Sequence, residues 1–224
     1  MSGTGLCRAF AVLLWVAAGG AAATGAGPVI PASAQAGDLV FREGTEAVSD
    51  AVLALDGGPF SHVGMLIGGP GNWRVIHATP AELPGRTDGV VVDALAFFLD
   101  RSRARQYAVY QVKADGDQRR AAVRAAQDKV GLPFRVADVG GTYCTRLVWD
   151  AWRQAGVDLN VRFTPLRLPL LAGEYLFPRA LRASPMLVPL TGVEDVPARW
   201  AVVSPLDATE RLPGTASPPQ PSNP

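Results

Sequence analysis

The chain has 224 residues, 48% of them hydrophobic, with 21 Lys and Arg against 20 Asp and Glu. That length supports one well-buried domain or at most two very small ones. A formal charge of +1 offers no basic face for nucleic acid and no polybasic patch for a membrane surface.

The chain opens with Arg8, the apolar run "AFAVLLWVAA" and small residues ending in "ASAQ". Ala32 and Ala34 fit the small-x-small rule, so a signal peptide is expected over 1–34, cut before Gln35. The apolar run falls short of the roughly 20 residues a spanning helix needs. An uncleaved anchor is the alternative reading. Cleavage would remove Cys7 and Arg8, leaving 20 basic against 20 acidic residues and a single cysteine, Cys144. The mature protein is thus expected to be secreted or periplasmic, with no membrane span, no internal disulfide and a fold held by its core.

"GDLVF" (37–41) reads as a strand, and "TEAVSDAVLAL" (45–55) as a helix with Ala47, Val48, Ala51, Val52 and Leu55 on one apolar face. "SHVGMLI" and "WRVIHAT", joined by "GGPGN", form a hairpin. "GVVVDAL" and "YAVYQVK" (107–113) are further strands. Residues 117–131 make an amphipathic helix with Asp117 as expected N-cap and Gly131 as its stop. In "TYCTRLVWDAW" (142–152) Thr142 is the expected N-cap of a helix that ends at Gly156. The proline-rich stretches from 160 onward read as extended segments wrapping the core, with a short helix at "PRALRAS". "LRLPLLAGEYLF" is either such wrapping or the wall of an apolar cleft. The domain is placed at 35–208, and a Pro- and Ser-rich disordered tail at 209–224. The class is α+β.

Both histidines of the chain lie in the hairpin. A four-residue turn at 68–71 would set Ile67 against Asn72 and His62 directly against His77, on one face. Cys144 stands at a helix start, where unpaired N–H groups and the helix dipole favour a thiolate. An imidazolium nearby would lower its pKa further and protonate a leaving group. The backbone N–H of Cys144 could face an oxyanion, and a second histidine could fix the tautomer of the first. Cys144, His62 and His77 are therefore the candidate nucleophile, base and orienter. The same residues also fit a core thiol and a cross-strand polar pair. Two histidines are half a zinc site, but no close ligand spacing supplies the rest, so no metal and no cofactor are expected.

The ordered set "GDLVF", "SHVGMLI", "VIHA", "GLPF" and "YCTRLVWDAW", with "EYLFPRAL" as a fainter echo, resembles the permuted papain-like amidases of the NlpC/P60 superfamily, the YiiX/YebB-like group. In that group the histidine strand precedes the cysteine helix, as here. The resemblance implies a circularly permuted papain-like fold with an antiparallel sheet packed on the cysteine helix. It places the base at His62, the third polar residue at His77, where many relatives carry Glu, and the nucleophile at Cys144. Tyr143 matches an aromatic position beside the cysteine, as an oxyanion donor or as packing. Phe134 and Arg135 depart from the Tyr-Asp that often follows the Gly-x-Pro turn, so the substrate loop differs. The implied activity is amide hydrolysis, with a cell-wall peptide or acyl amide of the cell envelope as substrate. Acyl-lipid hydrolysis or transfer, a non-catalytic binding module and a scaffold with an intermolecular disulfide are the alternatives.

Overall fold

The structure, a computed structural model, describes residues 29–136, 141–168 and 171–195. Most of the expected leader and the whole expected tail lie outside the described residues. Among those described, the strands are β1 (Leu39–Gly44), β2 (His62–Ile67), β3 (Arg74–Thr79), β4 (Gly89–Ala94), β5 (Ala104–Val112), β6 (Thr164–Leu168), β7 (Leu171–Tyr175), β8 (Leu187–Pro189) and β9 (Glu194–Asp195). The helices are α1 (Ala47–Asp56), α2 (Leu95–Phe98), α3 (Gly116–Gln127), α4 (Cys144–Gln154) and α5 (Pro178–Arg182).

One antiparallel sheet runs in the order β4-β3-β2-β1-β5-β8, with β9 also on β5; β6 and β7 form a separate ribbon. Every residue of β2 is buried, as both faces of the sheet are covered. On one face Val63, Met65, Ile67, Ile76 and Ala78 pack against Leu147, Val148, Ala151 and Trp152 of α4, with α3 behind. On the other, Val40, Leu66, Val75 and Val109 pack against Leu95, Phe98 and Leu99 around α2. Residues 30 and 34, inside the expected leader, join this second core, and the Val29 N–H donates to the Tyr107 hydroxyl at 3.1 Å.

Burial of an ion pair fixes α3. Arg119 donates to Asp38 Oδ1 at 2.6 Å, and that oxygen also accepts the Val112 N–H at 3.1 Å, so β1, β5 and α3 share one carboxylate. Removing either partner would leave a buried charge, which costs about 3–5 kcal/mol.

Four local expectations are corrected. The β2–β3 turn is longer than four residues: Ile67 pairs with Arg74, not Asn72, as Gly68 and Gly71 adopt left-handed backbone (φ 86° and 82°). The register therefore moves by two residues, which keeps the faces and sets His77 beside Gly64 rather than opposite His62. The N-cap of α3 is Asp115, not Asp117, because its carboxylate accepts the Gln118 N–H at 2.8 Å while Gln118 bonds back in a capping box. The N-cap of α4 is Tyr143, not Thr142, with no side-chain cap. Residues 164–168 and 171–175, expected as extended segments wrapping the core, pair with each other as a two-stranded ribbon.

Candidate active site

The sequence-nominated residues come together at one end of β2. Cys144 is the first residue of α4, which packs on β2 and β3. Its thiol lies at the backbone N–H groups of Val63 and Thr145. The start of α4 is held on both sides by Leu176, whose carbonyl accepts the Thr145 hydroxyl at 2.6 Å and whose N–H donates to the Tyr143 hydroxyl at 3.1 Å. Tyr143 is thereby tied to the cavity wall. Cys144 and His62 both line a cavity of about 200 Å³, and no hydrogen bond joins them among the described residues.

His62 and His77 meet diagonally, Nε2 to Nδ1 at 2.9 Å, with rings nearly perpendicular at 85°. Gly64 makes this possible, since a Cβ there would lie 2.2 Å from Val75 Cγ1 and 3.2 Å from His77 Cβ. Phe98 packs against both rings from the second core, at centroid distances of 5.6 and 4.9 Å. Behind His77 stands a residue the sequence reading missed. His77 Nε2 lies 3.1 Å from Asp93 Oδ2, and Asp93 Oδ1 accepts from Arg86 at 2.6 Å. Burial alone would raise the Asp93 pKa, but hydrogen bonds from His77 and Arg86 bring it below the ordinary carboxylate value. Asp93 is thus an anion that only accepts, which assigns every ring proton behind it. His77 carries its proton on Nε2, its bare Nδ1 accepts from His62 Nε2–H, and His62 Nδ1 is left as a free base.

Arg42 and Glu82, also missed, form a buried ion pair beside the histidines, and Arg103 donates to Glu82 as well at 3.2 Å. The Arg42 guanidinium also reaches the Phe98 carbonyl at 2.7 Å. A carboxylate interrupting "GVVVDAL" and an arginine continuing the inward face of "LVFRE" were the available signals.

The electrostatics correct one expectation. Burial pushes the Cys144 thiol up to about 11, against the smaller opposing pull of the Val63 and Thr145 N–H groups and Arg42. Burial, then Arg42, then His77 hold the His62 pKa well below the ordinary imidazole value. Burial also lowers His77, opposed by Asp93. The helix start and the imidazole do not outweigh desolvation, so at neutral pH the pair rests as thiol and neutral imidazole.

A family model described as the permuted papain-like amidase enzymes YaeF/YiiX, of the C92 peptidase family, matches residues 33–169. The chain belongs to this family. This YaeF/YiiX-type amidase has the fold of a solved relative, the crystal structure of metalloprotein YiiX from Escherichia coli O157:H7, at TM-score 0.58 and 20% identity over 73% of this chain and 98% of that one. No curated protein sequence matches it. The resemblance seen in the sequence, the permuted papain-like α+β fold and the hydrolase class all hold.

The relative's description as a metalloprotein calls for a test of this amidase's own donors. Among the described residues His62, His77 and Glu82 place ligand atoms within 4.8 Å of one another. Glu82 is already neutralised by Arg42 and Arg103 and accepts the Thr79 hydroxyl at 3.0 Å, while the two imidazoles bond each other. A divalent cation there would sit beside the Arg42 guanidinium and compete with it for Glu82. The residues do not fit a metal.

Proposed function

We propose that this amidase is an exported enzyme that cleaves an amide through a Cys144–His62–His77 centre. The observation that carries the reading is the unbroken line of hydrogen bonds from Asp93 through His77 to His62, ending at a cavity shared with Cys144. A line of this kind presents one basic nitrogen, His62 Nδ1, to the nucleophile's cavity. Because the thiol rests protonated, attack and proton transfer are coupled: sulfur bonds to the carbonyl carbon as its proton passes to His62 Nδ1. The tetrahedral oxyanion would be met by N–H groups at the start of α4. Its collapse expels the amine, which takes the proton from His62 and leaves a thioacyl enzyme. Water then gives its proton to His62 and its oxygen to the acyl carbon, which releases the acid and restores the thiol. His77 orients His62 and Asp93 fixes both tautomers, so neither need touch substrate. Tyr143, bound at Leu176, is a wall of the site.

Export follows from the expected leader, and it would bring the enzyme to amides of the cell envelope, cell-wall peptides among them. The reading is tested by mixing the enzyme with an activated acyl amide and following bound mass and free amine. Wild type should gain one acyl group, and Cys144→Ala should gain none and release no amine. Equal amine release from both proteins would refute a thiol mechanism.

A further inference from the structure

We infer that Arg42 is a positioning residue of this centre, and that its buried charge makes the proton His62 holds during the reaction easier to hand to a departing amine. The inference rests on the Cys144–His62 reading and adds what governs the breaking of the C–N bond. Its starting point is a pair in the sheet. Arg42 of β1 stands directly opposite His62 of β2, and such residues share a face with Cβ atoms about 5 Å apart. The guanidinium lies over the Phe98 ring, 4.5 Å from its centroid, and donates to the Phe98 carbonyl at 2.7 Å. That ring packs on both imidazoles, so Arg42 also fixes the wall behind them.

The charge of Arg42 is not cancelled. Arg42 and Arg103 share one buried carboxylate, Glu82, while Glu46 meets Arg42 only at 3.5 Å from a partly exposed position. Two cations on one anion leave a positive excess in a place of low dielectric, where charge acts more strongly than in water. Arg42 Nε is buried with no partner among the described residues. The other groups near His62 do not supply this charge. His77 is neutral, Asp93 lies behind it bonded to Arg86, Cys144 rests as a thiol, and Glu46 also accepts the Ser49 hydroxyl. After burial, Arg42 is the largest influence holding the His62 pKa down.

Such a neighbour matters at one step. When the tetrahedral intermediate collapses, the C–N bond breaks, its electron pair goes to nitrogen, and nitrogen takes the proton from His62. An amine needs that proton in order to leave, whereas a nitrophenolate leaves without one. A fixed cation beside the imidazolium makes it a stronger acid. Arg42 therefore favours expulsion of an amine and gives an ester little.

The test compares the p-nitroanilide and the p-nitrophenyl ester of butanoic acid on the full chain. Arg42→Gln leaves Glu82 paired with Arg103, so no carboxylate is stranded. It should slow the anilide about tenfold more than the ester, out of the roughly 10²–10⁴-fold that a general acid supplies. Arg42→Lys, which keeps the charge, should restore most of that ratio. In parallel, His62 is titrated by nitrogen-15 spectra in the Cys144→Ala chain, where Arg42→Gln should move its protonation to higher pH and Arg42→Lys should not. That shift supports the role of Arg42 even if neither substrate turns over, in which case the thiol mechanism alone fails. Should Arg42→Gln not fold, Arg103→Gln, which lets Glu82 cancel Arg42, should lower the same ratio. An unchanged anilide-to-ester ratio in an active enzyme, a ratio that falls equally with lysine, or a His62 that titrates alike in all three chains overturns the inference.

Discussion

Asp93→Asn tests the tautomer line most directly. The substitution keeps shape and removes one charge, yet the structure dictates what the new amide must do. Arg86 donates at 2.6 Å to one oxygen of Asp93, so the asparagine carbonyl stays on that side. Its NH₂ group is then turned to His77 Nε2, where the wild-type carboxylate accepts at 3.1 Å. Two donors cannot face each other, so His77 must move its proton to Nδ1 and donate to His62 Nε2. His62 is then protonated on Nδ1, the nitrogen that has to receive the thiol proton. Loss of a charged hydrogen bond alone is worth about 1.5–3 kcal/mol, or roughly 10- to 150-fold in rate. A trapped wrong tautomer in a hydrolase triad costs about 10⁴. We expect kcat to fall by between about 10² and 10⁴ with KM nearly unchanged. Nitrogen-15 imidazole spectra should show both histidines exchanging tautomers. Adding Arg86→Ala, which frees the amide to turn over, should recover part of the loss. A kcat within threefold of wild type, or unchanged imidazole spectra, would refute the assignment.

Four further outcomes are expected. Iodoacetamide alkylation of Cys144 should inflect near pH 11 and shift little in His62→Ala, because burial and not the imidazole sets the thiol; an inflection below 8.5 would show a preformed ion pair. The unfolded chain binds protons at His62 and His77 near pH 6.5, whereas burial holds both folded imidazoles below that value, His62 well below it. Stability should therefore be full above that value and fall on acidification, by up to about 1.4 kcal/mol per pH unit from His62 and by less from His77, where Asp93 opposes burial; equal urea midpoints at pH 7.5 and 5.5 would contradict this. Glu82→Ala strands the buried Arg42 and should cost about 3–5 kcal/mol in urea unfolding, with a loss under 1 kcal/mol counting against the pair. A chain beginning at residue 35 should be about 1–3 kcal/mol less stable than one beginning at residue 29, as it loses the Ile30 and Ala34 packing and the Val29 bond; equal stabilities would mean that the segment contributes nothing.

The elements were legible where periodicity was strong. The apolar β-rich runs of the hairpin and the apolar face of α4 carry their own pattern, and a cysteine at a helix start points to chemistry. The diagonal approach of His62 and His77 was hidden because it depends on turn length, which two left-handed glycines extend. Asp93 was hidden for another reason. It sits three elements of the chain away from Cys144, in a strand whose apolar run masks one polar position, and only the β3–β4 register brings it to His77. The raised thiol was invisible because helix position can be read from sequence, whereas desolvation depends on everything folded around the sulfur.

The apolar stripe Val48, Ala51, Val52 and Leu55 of α1 lines the cavity of Cys144 and His62 instead of the core, and this has a consequence for variation. Core positions such as Leu147 or Trp152 answer to the whole fold, so each change there risks the protein. Val48, Ala51 and Leu55 answer to little besides the cleft, because the domain folds without burying them. Substitutions on this helix can reshape the cavity wall while leaving stability almost untouched. This part of the cavity wall is separable from the core, and divergent chains could drift at this helix while keeping the sheet intact.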